Sequence, residues 1–269
     1  TIVGGGGNSW YNTKGAAWAS YLSSANFQNL LPEPDSYYQS PAINIQNHSY
    51  GTGIENYYGL EAWGYDASVI NNPSLLHIFS AGNSGATTPS TGNFAGIAGY
   101  SNLTGNFKQA KNIISVGHTD SFGVVLSASS KGPAFDGRVK PELVAFGEDG
   151  SSGAAALVSG TAAVLFQSYK DSHSGLQASA SLIKAVLINS AEDAGTKGID
   201  YSSGYGSLNA KKAVQTIIEG RYFQGTVSNN GQKQFSLTIP AGIKQLKISL
   251  VWNDAPAVPN SSKALVNDL

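Results

Sequence analysis

Two polar residues in this chain have types and positions suited to chemistry at a carbonyl group. The sequence SAGNSG at residues 80–85 ends an apolar run, so Asn83 is predicted in a tight turn after a buried strand. An uncharged amide in that position can donate a hydrogen bond to an oxyanion that forms only in a transition state. The sequence GSS at residues 150–152 precedes a long apolar helix, and a serine such as Ser152 at a helix N-terminus can act as a nucleophile.

Each of these two residues also has an ordinary structural interpretation. Asparagine is favoured in turns because its side chain bonds to the local backbone, which would account for Asn83. Serine is a leading N-cap residue, which would account for Ser152. Position alone favours these structural interpretations, so a chemical role depends on the rest of the chain.

The elements that must position these residues alternate along the chain. Apolar runs predict strands over residues 42–45, 75–79, 112–117 and 140–145. Helical spacing and all-round apolar composition predict helices over residues 57–70, 154–169, 181–191 and 208–218. This alternation predicts an α/β fold with a doubly wound, mostly parallel sheet, in which ligands bind at the carboxyl ends of strands.

The pattern changes after residue 220. Residues 223–227, 234–239 and 246–251 alternate between apolar and polar side chains and are separated by Asn-Gly and Pro-Ala-Gly turns. We therefore expect two units, a larger α/β domain over residues 1–220 and a partial antiparallel β domain over residues 221–269.

Composition excludes several classes of protein. The 16 basic residues nearly balance the 17 acidic residues, which gives no electrostatic reason to expect binding to nucleic acid or to an anionic membrane. The chain has no cysteine, so disulfides, thiolate metal sites and a cysteine nucleophile are excluded. No apolar run approaches the roughly 18 residues that a membrane-spanning helix needs.

Five motifs follow one another along the chain. They are NHSYG at residues 47–51, SAGNSG at 80–85, SSKGP with DGRVKPE at 129–142, GSS with VSGTAA at 150–163, and GYGSLNA at 204–210. In this order they resemble the motifs of the subtilisin-like serine peptidases (subtilases), over about residues 1–218. The resemblance implies a secreted or extracellular serine endopeptidase that acts on protein or peptide substrates and requires no cofactor.

The resemblance also implies roles for particular residues. Ser152 would be the nucleophile and Asn83 an oxyanion donor. The substrate would bind in a slot between two extended segments, at Ser49, Tyr50, Gly51, Ala81 and Gly82.

The match at the nucleophile motif is incomplete. The Met and Pro that follow the nucleophile in the family are absent, because residues 153–156 read GAAA. A rival alignment places Ser152 just before the motif, and the nucleophile is then missing from this chain. We favour the alignment on Ser152 because it extends through residues 158–160 without a gap.

A Ser–His–Asp triad also requires an imidazole and a carboxylate. The sequence TIVGG at residues 1–5 resembles the end of the helix that carries the catalytic histidine in the family. We therefore expect the triad Asp and His on an N-terminal segment of the same protein that precedes Thr1. Of the four histidines present, His48 comes nearest to the site. Its place is on the strand that would pair with substrate, beside the predicted nucleophile and not under it, so it does not fit the role of the base. The alternative is a subtilase-like module that binds without catalysis.

Two segments near the end of the chain carry a second, shorter resemblance. Residues 249–254 and 265–269 resemble the β-barrel (jelly-roll) domain that follows the catalytic domain in one subtilase branch. Structural calcium is an expectation from that resemblance. Asp254 and Asp268 have no ligand pattern between them, however, and surface acids are the simpler interpretation.

Overall fold

A parallel sheet forms the centre of the structure, a computed structural model that describes residues 2–5, 14–26, 29–39 and 42–267. Within these residues the sheet has four strands: β1 (Ile45–His48), β2 (Leu76–Ser80), β3 (Ile114–Thr119) and β4 (Leu143–Phe146). The strands lie side by side in chain order, and every adjacent pair is parallel. The predicted α/β fold with a mostly parallel sheet is therefore confirmed.

Helices accompany the strands as the sequence predicts. The described α-helices are α1 (Asp35–Gln39), α2 (Leu60–Asn71), α3 (Ser151–Ser172), α4 (Ala180–Ser190) and α5 (Ala210–Ile218). A single 3₁₀ turn, Asn106–Gln109, precedes β3. Of the described helices, none is long and apolar enough to cross a membrane.

The central strand β2 separates two apolar cores. Successive side chains of a strand point to opposite faces, so Leu76 and Ile78 enter the core built with α3, α4 and α5. Phe79 enters the other core, which includes Tyr65 of α2. Both faces of the sheet are thereby covered, and all five residues of β2 are buried.

The first strand begins later than the sequence predicts. We expected a strand over residues 42–45, whereas β1 starts at Ile45 and pairs with β2 from Ile45↔Leu76 to His48↔Phe79. Ala42 has a φ of 52°, a left-handed conformation that an extended strand cannot contain. Pairing with β2, not the apolar run, sets the strand's limits.

The strands predicted after residue 220 are not seen in the described part of that region. Described residues 221–267 contain neither helix nor strand. The apolar members of the alternating pattern stay exposed, for example Phe235 at 45% and Leu237 at 53%. An alternating sequence stabilises a strand mainly by packing one face, and no described layer covers this face. The division of the chain at residue 220 remains a prediction.

One part of this irregular region is nevertheless held firmly. Asp254 is buried, and its backbone exchanges two hydrogen bonds with the side chain of Asn112, at 2.8 and 2.9 Å. Its carboxylate accepts a hydrogen bond from Lys111 Nζ at 2.7 Å. Ala257 N donates to the Tyr58 hydroxyl at 3.3 Å. The segment is therefore anchored to the α2 side of the sheet.

Candidate active site

The loop that follows β2 brings Asn83 to the carboxyl edge of the sheet. Gly82 has a φ of 121°, and a Cβ there would lie 2.5 Å from Thr104 Oγ1 and 2.7 Å from Ser130 Oγ. A side chain at this position would clash and would also strain the backbone. The glycine thus permits the turn that presents Asn83, whose side chain is exposed.

The N-terminus of α3 lies directly against this amide. Gly150 occupies the N-cap position with φ 70° and ψ −154°, and no side chain caps the helix. A Cβ on Gly150 would lie 2.8 Å from Asn83 Oδ1 and 2.9 Å from Asn83 Nδ2. Ser152 is consequently the second helical residue, and the N-cap interpretation of that serine does not apply.

Ser151 is the direct hydrogen-bond partner of Asn83. Asn83 Oδ1 accepts from Ser151 N at 3.0 Å and from Ser151 Oγ at 2.9 Å. Ser151 Oγ in turn accepts from Gly82 N at 3.2 Å. These bonds hold the amide oxygen against the helix, so Nδ2, which has no hydrogen-bond partner among the described residues, is available as a donor.

Ser152 faces the other side of the helix N-terminus. Its hydroxyl donates to Ser49 O at 3.4 Å, and Ser49 Oγ donates to Ser152 O at 3.0 Å. Neighbouring helix residues point about 100° apart, which explains why Ser151 and Ser152 contact different segments. The structure therefore brings Asn83, Ser49 and Ser152 to one helix end. Ser151 bonds there to both the Asn83 side-chain oxygen and the backbone N–H of Gly82.

The predicted slot has Thr104 as its floor. Thr104 N donates to Ala81 O at 3.2 Å, and Thr52 N donates to Thr104 O at 3.4 Å, so this residue links the two predicted walls. A Cβ on Gly51 would lie 2.4 Å from Thr104 Oγ1, slightly closer than the 2.5 Å of one on Gly82. Both glycines therefore leave space for the same hydroxyl group.

A buried lysine lies under this floor. Lys108 is fully buried, and its Nζ donates to Thr104 Oγ1 at 2.6 Å. A Cβ on Gly51 would lie 3.0 Å from the same Nζ. Burial lowers the pKa of Lys108 to about 7. The sequence analysis identified neither Thr104 nor Lys108, because a polar loop carries no periodicity that would reveal which side chains turn inward.

Tyr50 has its ring held on the α2 side of the sheet. Its hydroxyl bonds to His48 Nδ1 at 3.0 Å and to the Tyr65 hydroxyl at 3.2 Å. Its ring packs edge-on against Phe107, with centroids 5.6 Å apart. Of the predicted substrate residues, Tyr50 therefore has its side chain on the α2 side, whereas Ser49 contacts Ser152 and the two glycines lie against Thr104.

The histidines near β1 and β2 belong to a buried network on that same side. His48 Nε2 lies 3.1 Å from His77 Nδ1, and His77 Nε2 lies 3.1 Å from Ser68 Oγ. Burial lowers the pKa of both imidazoles, that of His77 to about 3. Because alternate residues of an extended segment face opposite sides, His48 points away from the side on which Ser49 meets Ser152.

The two remaining histidines, His118 and His173, also lie away from Ser152. His173 stacks on Tyr169 with centroids 3.9 Å apart, just past the end of α3. That helix has 22 residues, so its two ends are roughly 33 Å apart. His118 is buried in β3, where burial lowers its pKa. Neither contacts Ser152.

The DGRVKPE motif at residues 136–142 has a structural role. Glu142 is buried and accepts from Lys140 Nζ at 2.7 Å and from Lys184 Nζ at 3.0 Å. Its second oxygen accepts from Ser115 N at 2.7 Å and from Ser115 Oγ at 2.8 Å. This carboxylate joins β3 to the start of β4 and to α4.

Asp254 is not the surface acid that the simpler interpretation predicted, because it is buried. Asp254 Oδ1 accepts from Asn267 N and Nδ2, and Oδ2 accepts from Lys111 Nζ and Val266 N, all within 2.9 Å. Both oxygens are therefore engaged, one of them with an ammonium. Asp268 lies outside the described residues, and within them no cluster of three potential ligands could hold a metal ion.

Comparison with known proteins identifies relatives of this arrangement. The chain is 30% identical over 194 residues to the serine protease/ABC transporter B family protein tagA of Dictyostelium discoideum, with 52% of this chain and 11% of that protein covered. The chain thus spans only a small part of that relative.

Solved structures show the same fold. The self-cleaved protease domain of PatA matches with a TM-score of 0.51 and 21% identity over 69% of this chain and 66% of that one. The prenylagaramide maturation protease PagA matches with a TM-score of 0.52 and 22% identity, over 68% and 65%.

The family assignment rests on most of the chain's length. The model of the subtilase family matches residues 1–206, a range that includes Ser49, Asn83 and Ser152. The chain belongs to the subtilase family of subtilisin-like serine proteases.

Proposed function

We propose that this chain supplies the nucleophile, the oxyanion donors and the substrate slot of a secreted serine endopeptidase. The observation that carries the proposal is the contact of the Asn83 amide oxygen with Ser151, which holds the Asn83 Nδ2 donor at the end of α3 that carries Ser152. Secretion is in keeping with a chain that has 32 glycines and only 12% charged residues. The reaction requires no cofactor.

In the proposed reaction, Ser152 Oγ attacks the carbonyl carbon of a peptide bond and gives its proton to an imidazole. The carbonyl oxygen becomes an oxyanion, which accepts hydrogen bonds from Asn83 Nδ2 and from the backbone N–H of Ser152. That N–H is one of the first four of α3 and needs no intrahelical partner. The imidazole then protonates the leaving amine, and water hydrolyses the acyl-enzyme.

An extended substrate would pair with residues 49–51. The other wall has already used its backbone groups: Ala81 N donates to Val116 O at 2.8 Å, and Ser130 N donates to Gly82 O at 3.0 Å. Gly82 N is also occupied, by Ser151 Oγ. The backbone groups of Ala81 and Gly82 are therefore engaged, so these two residues shape the slot opposite the 49–51 segment.

The imidazole and carboxylate of the triad would come from another part of the same protein. In the described residues, none of the four histidines contacts Ser152, and His48 and His77 have lowered pKa values because they are buried. We assign the triad Asp and His to an N-terminal segment that precedes Thr1.

Labelling with a fluorophosphonate tests this proposal. The full-length protein should be labelled at Ser152, whereas residues 1–269 alone should not, because a serine nucleophile and its base act as a unit. In-gel fluorescence followed by peptide mass spectrometry measures both results. Strong labelling of residues 1–269 would show that a histidine in this chain serves as the base. A full-length protein that does not label would favour a binding module without catalysis.

Replacing Asn83 by Ala tests the oxyanion donor. In the full-length protein we expect kcat to fall by about 10²–10³-fold with little change in KM, the range seen when one such donor is removed from subtilisin. Steady-state kinetics on a peptide substrate measures the loss. Asn71→Ala, on the exposed end of α2 before β2, is the control and should leave kcat unchanged. A loss of tenfold or less would make Asn83 a turn residue only.

A further inference from the structure

Lys108 differs from the other buried lysines of the described chain in having no acidic partner. Lys111 pairs with Asp254, while Lys140 and Lys184 both pair with Glu142. None of the ion pairs in the described part of the chain includes Lys108. Buried charges in proteins are normally paired, and the unpaired Lys108 ammonium loses its proton readily, with a pKa that burial lowers to about 7.

The contacts of the Lys108 ammonium are weak for a fully buried group. An ammonium has three N–H donors, and Nζ uses one of them on Thr104 Oγ1. The ring of Phe107, with its centroid 5.5 Å from Nζ, adds a modest attraction. His48 is the titratable neighbour, and burial lowers its pKa well below the usual range, so it stays neutral beside the lysine.

Thr104 connects this charge to the slot. Its hydroxyl accepts from Lys108, which leaves its own proton to donate, and among the described residues the acceptor for that proton is Ala81 O at 3.5 Å. The hydroxyl fills the space beside Gly51 and Gly82, where a Cβ would lie within 2.5 Å of it, and Thr104 keeps 8% of its surface exposed. An anion in the slot would accept this better-aligned hydrogen bond and lie close to the ammonium.

We propose that the slot selects substrates with an acidic side chain, Glu or Asp, on the amino side of the cleaved bond. This inference rests on the proposed function, because it names the substrate class of the same site. The carboxylate would accept from Thr104 Oγ1, with Lys108 Nζ behind it as the balancing charge. The lysine then receives from the substrate the acidic partner that the described chain does not supply.

The expected selectivity follows from simple electrostatics. Two hydrogen bonds in series place the carboxylate about 5 Å from Nζ. At an effective dielectric constant near 20, a pair of unit charges at about that distance favours the charged ligand by roughly 10²-fold. Glutamine has the size of glutamate without its charge, so it is the matched comparison.

The first experiment is unbiased. Peptides from a digested proteome are incubated with the full-length protein, and new termini are sequenced by mass spectrometry. We expect Glu and Asp to dominate the position before the cleaved bond. Dominance of apolar or basic residues there would overturn the inference. Labelling of Ser152 by a fluorophosphonate without any peptide cleavage would also overturn the inference. If the protein is neither labelled nor able to cleave peptides, the proposed function itself fails.

The second experiment assigns the selectivity to these residues. Two internally quenched peptides that differ only by Glu or Gln at that position should differ about 10²-fold in kcat/KM. The ratio is measured on one preparation, so it does not depend on how much protein is folded. Lys108→Met should reduce it to about 1, and Thr104→Val should reduce it about tenfold.

Two variants provide controls for that ratio. Thr104→Ser keeps the hydroxyl and should retain the preference for Glu. Lys170→Met removes an exposed lysine from the far end of α3 and should leave the ratio unchanged. A ratio near 1 in the unaltered protein, or an unchanged ratio in Lys108→Met, would contradict the proposal.

Discussion

Replacing Ser152 by Ala in the full-length protein is expected to reduce kcat by about 10⁶-fold, the size of the loss when the nucleophile of subtilisin is removed. Replacing Ser151 by Ala should cost only about tenfold. That change removes one hydrogen bond to Asn83 Oδ1, while the bond from the backbone N–H of residue 151 remains. Steady-state kinetics measures both losses on the same substrate.

These two adjacent serines form a matched pair, because both changes delete one hydroxyl from the same helix N-terminus. If Ser151→Ala is the inactive variant and Ser152→Ala keeps its activity, the nucleophile has been assigned to the wrong serine. If both variants keep full activity, the rival alignment is correct and the nucleophile lies elsewhere.

Removing the charge of Glu142 is expected to destabilise the fold strongly. Glu142→Gln leaves Lys140 and Lys184 without their carboxylate partner in the interior, which should lower the free energy of unfolding by about 3–5 kcal/mol. Urea denaturation measures the change. Glu192→Gln is the control, since the Glu192–Lys212 pair is more than half exposed and should contribute less than about 1 kcal/mol. A loss below about 1 kcal/mol for Glu142→Gln would contradict the expectation.

The same carboxylate predicts the direction of acid sensitivity. Burial alone would raise the pKa of Glu142, but the charges of Lys140 and Lys184 and the hydrogen bonds from Lys140 and Ser115 hold it at about 2, against an ordinary 4.5. The folded state therefore binds this proton less readily than the unfolded state. The stabilisation is complete above about pH 4.5 and is lost as the pH falls toward 2.

The sheet could be predicted from the sequence wherever strands are buried on both faces. The apolar runs at residues 75–79 and 112–117 correspond to β2 and β3, which lie at the centre of the sheet. The edge strand β1 was less predictable, since it contains Gln46, Asn47 and His48 and its limits depend on pairing with β2. The exposed alternation in residues 223–251 predicts strands that do not form, because propensity without packing is insufficient.

The candidate site was predictable by residue but not by contact. The SAGNSG and GSS motifs identify Asn83 and Ser152, but which serine meets the amide depends on where α3 begins. Since the helix starts at Ser151, the phase of its first turn directs Ser151 to Asn83 and Ser152 to Ser49. Lys108 had no sequence signal, because neither its burial nor its lack of an acidic partner can be inferred from a polar loop.

The sequence pattern changes near residue 220, but Asp254, which lies well beyond that point, is hydrogen-bonded to Lys111 and Asn112 of the α/β unit. A chain shortened to end at residue 220 would lose the carboxylate that neutralises Lys111 and the backbone groups that satisfy Asn112. Asp66 would remain the nearest acid to Lys111, at 3.9 Å. We therefore expect a chain that ends at residue 220 to be less stable than one that keeps Asp254 in place.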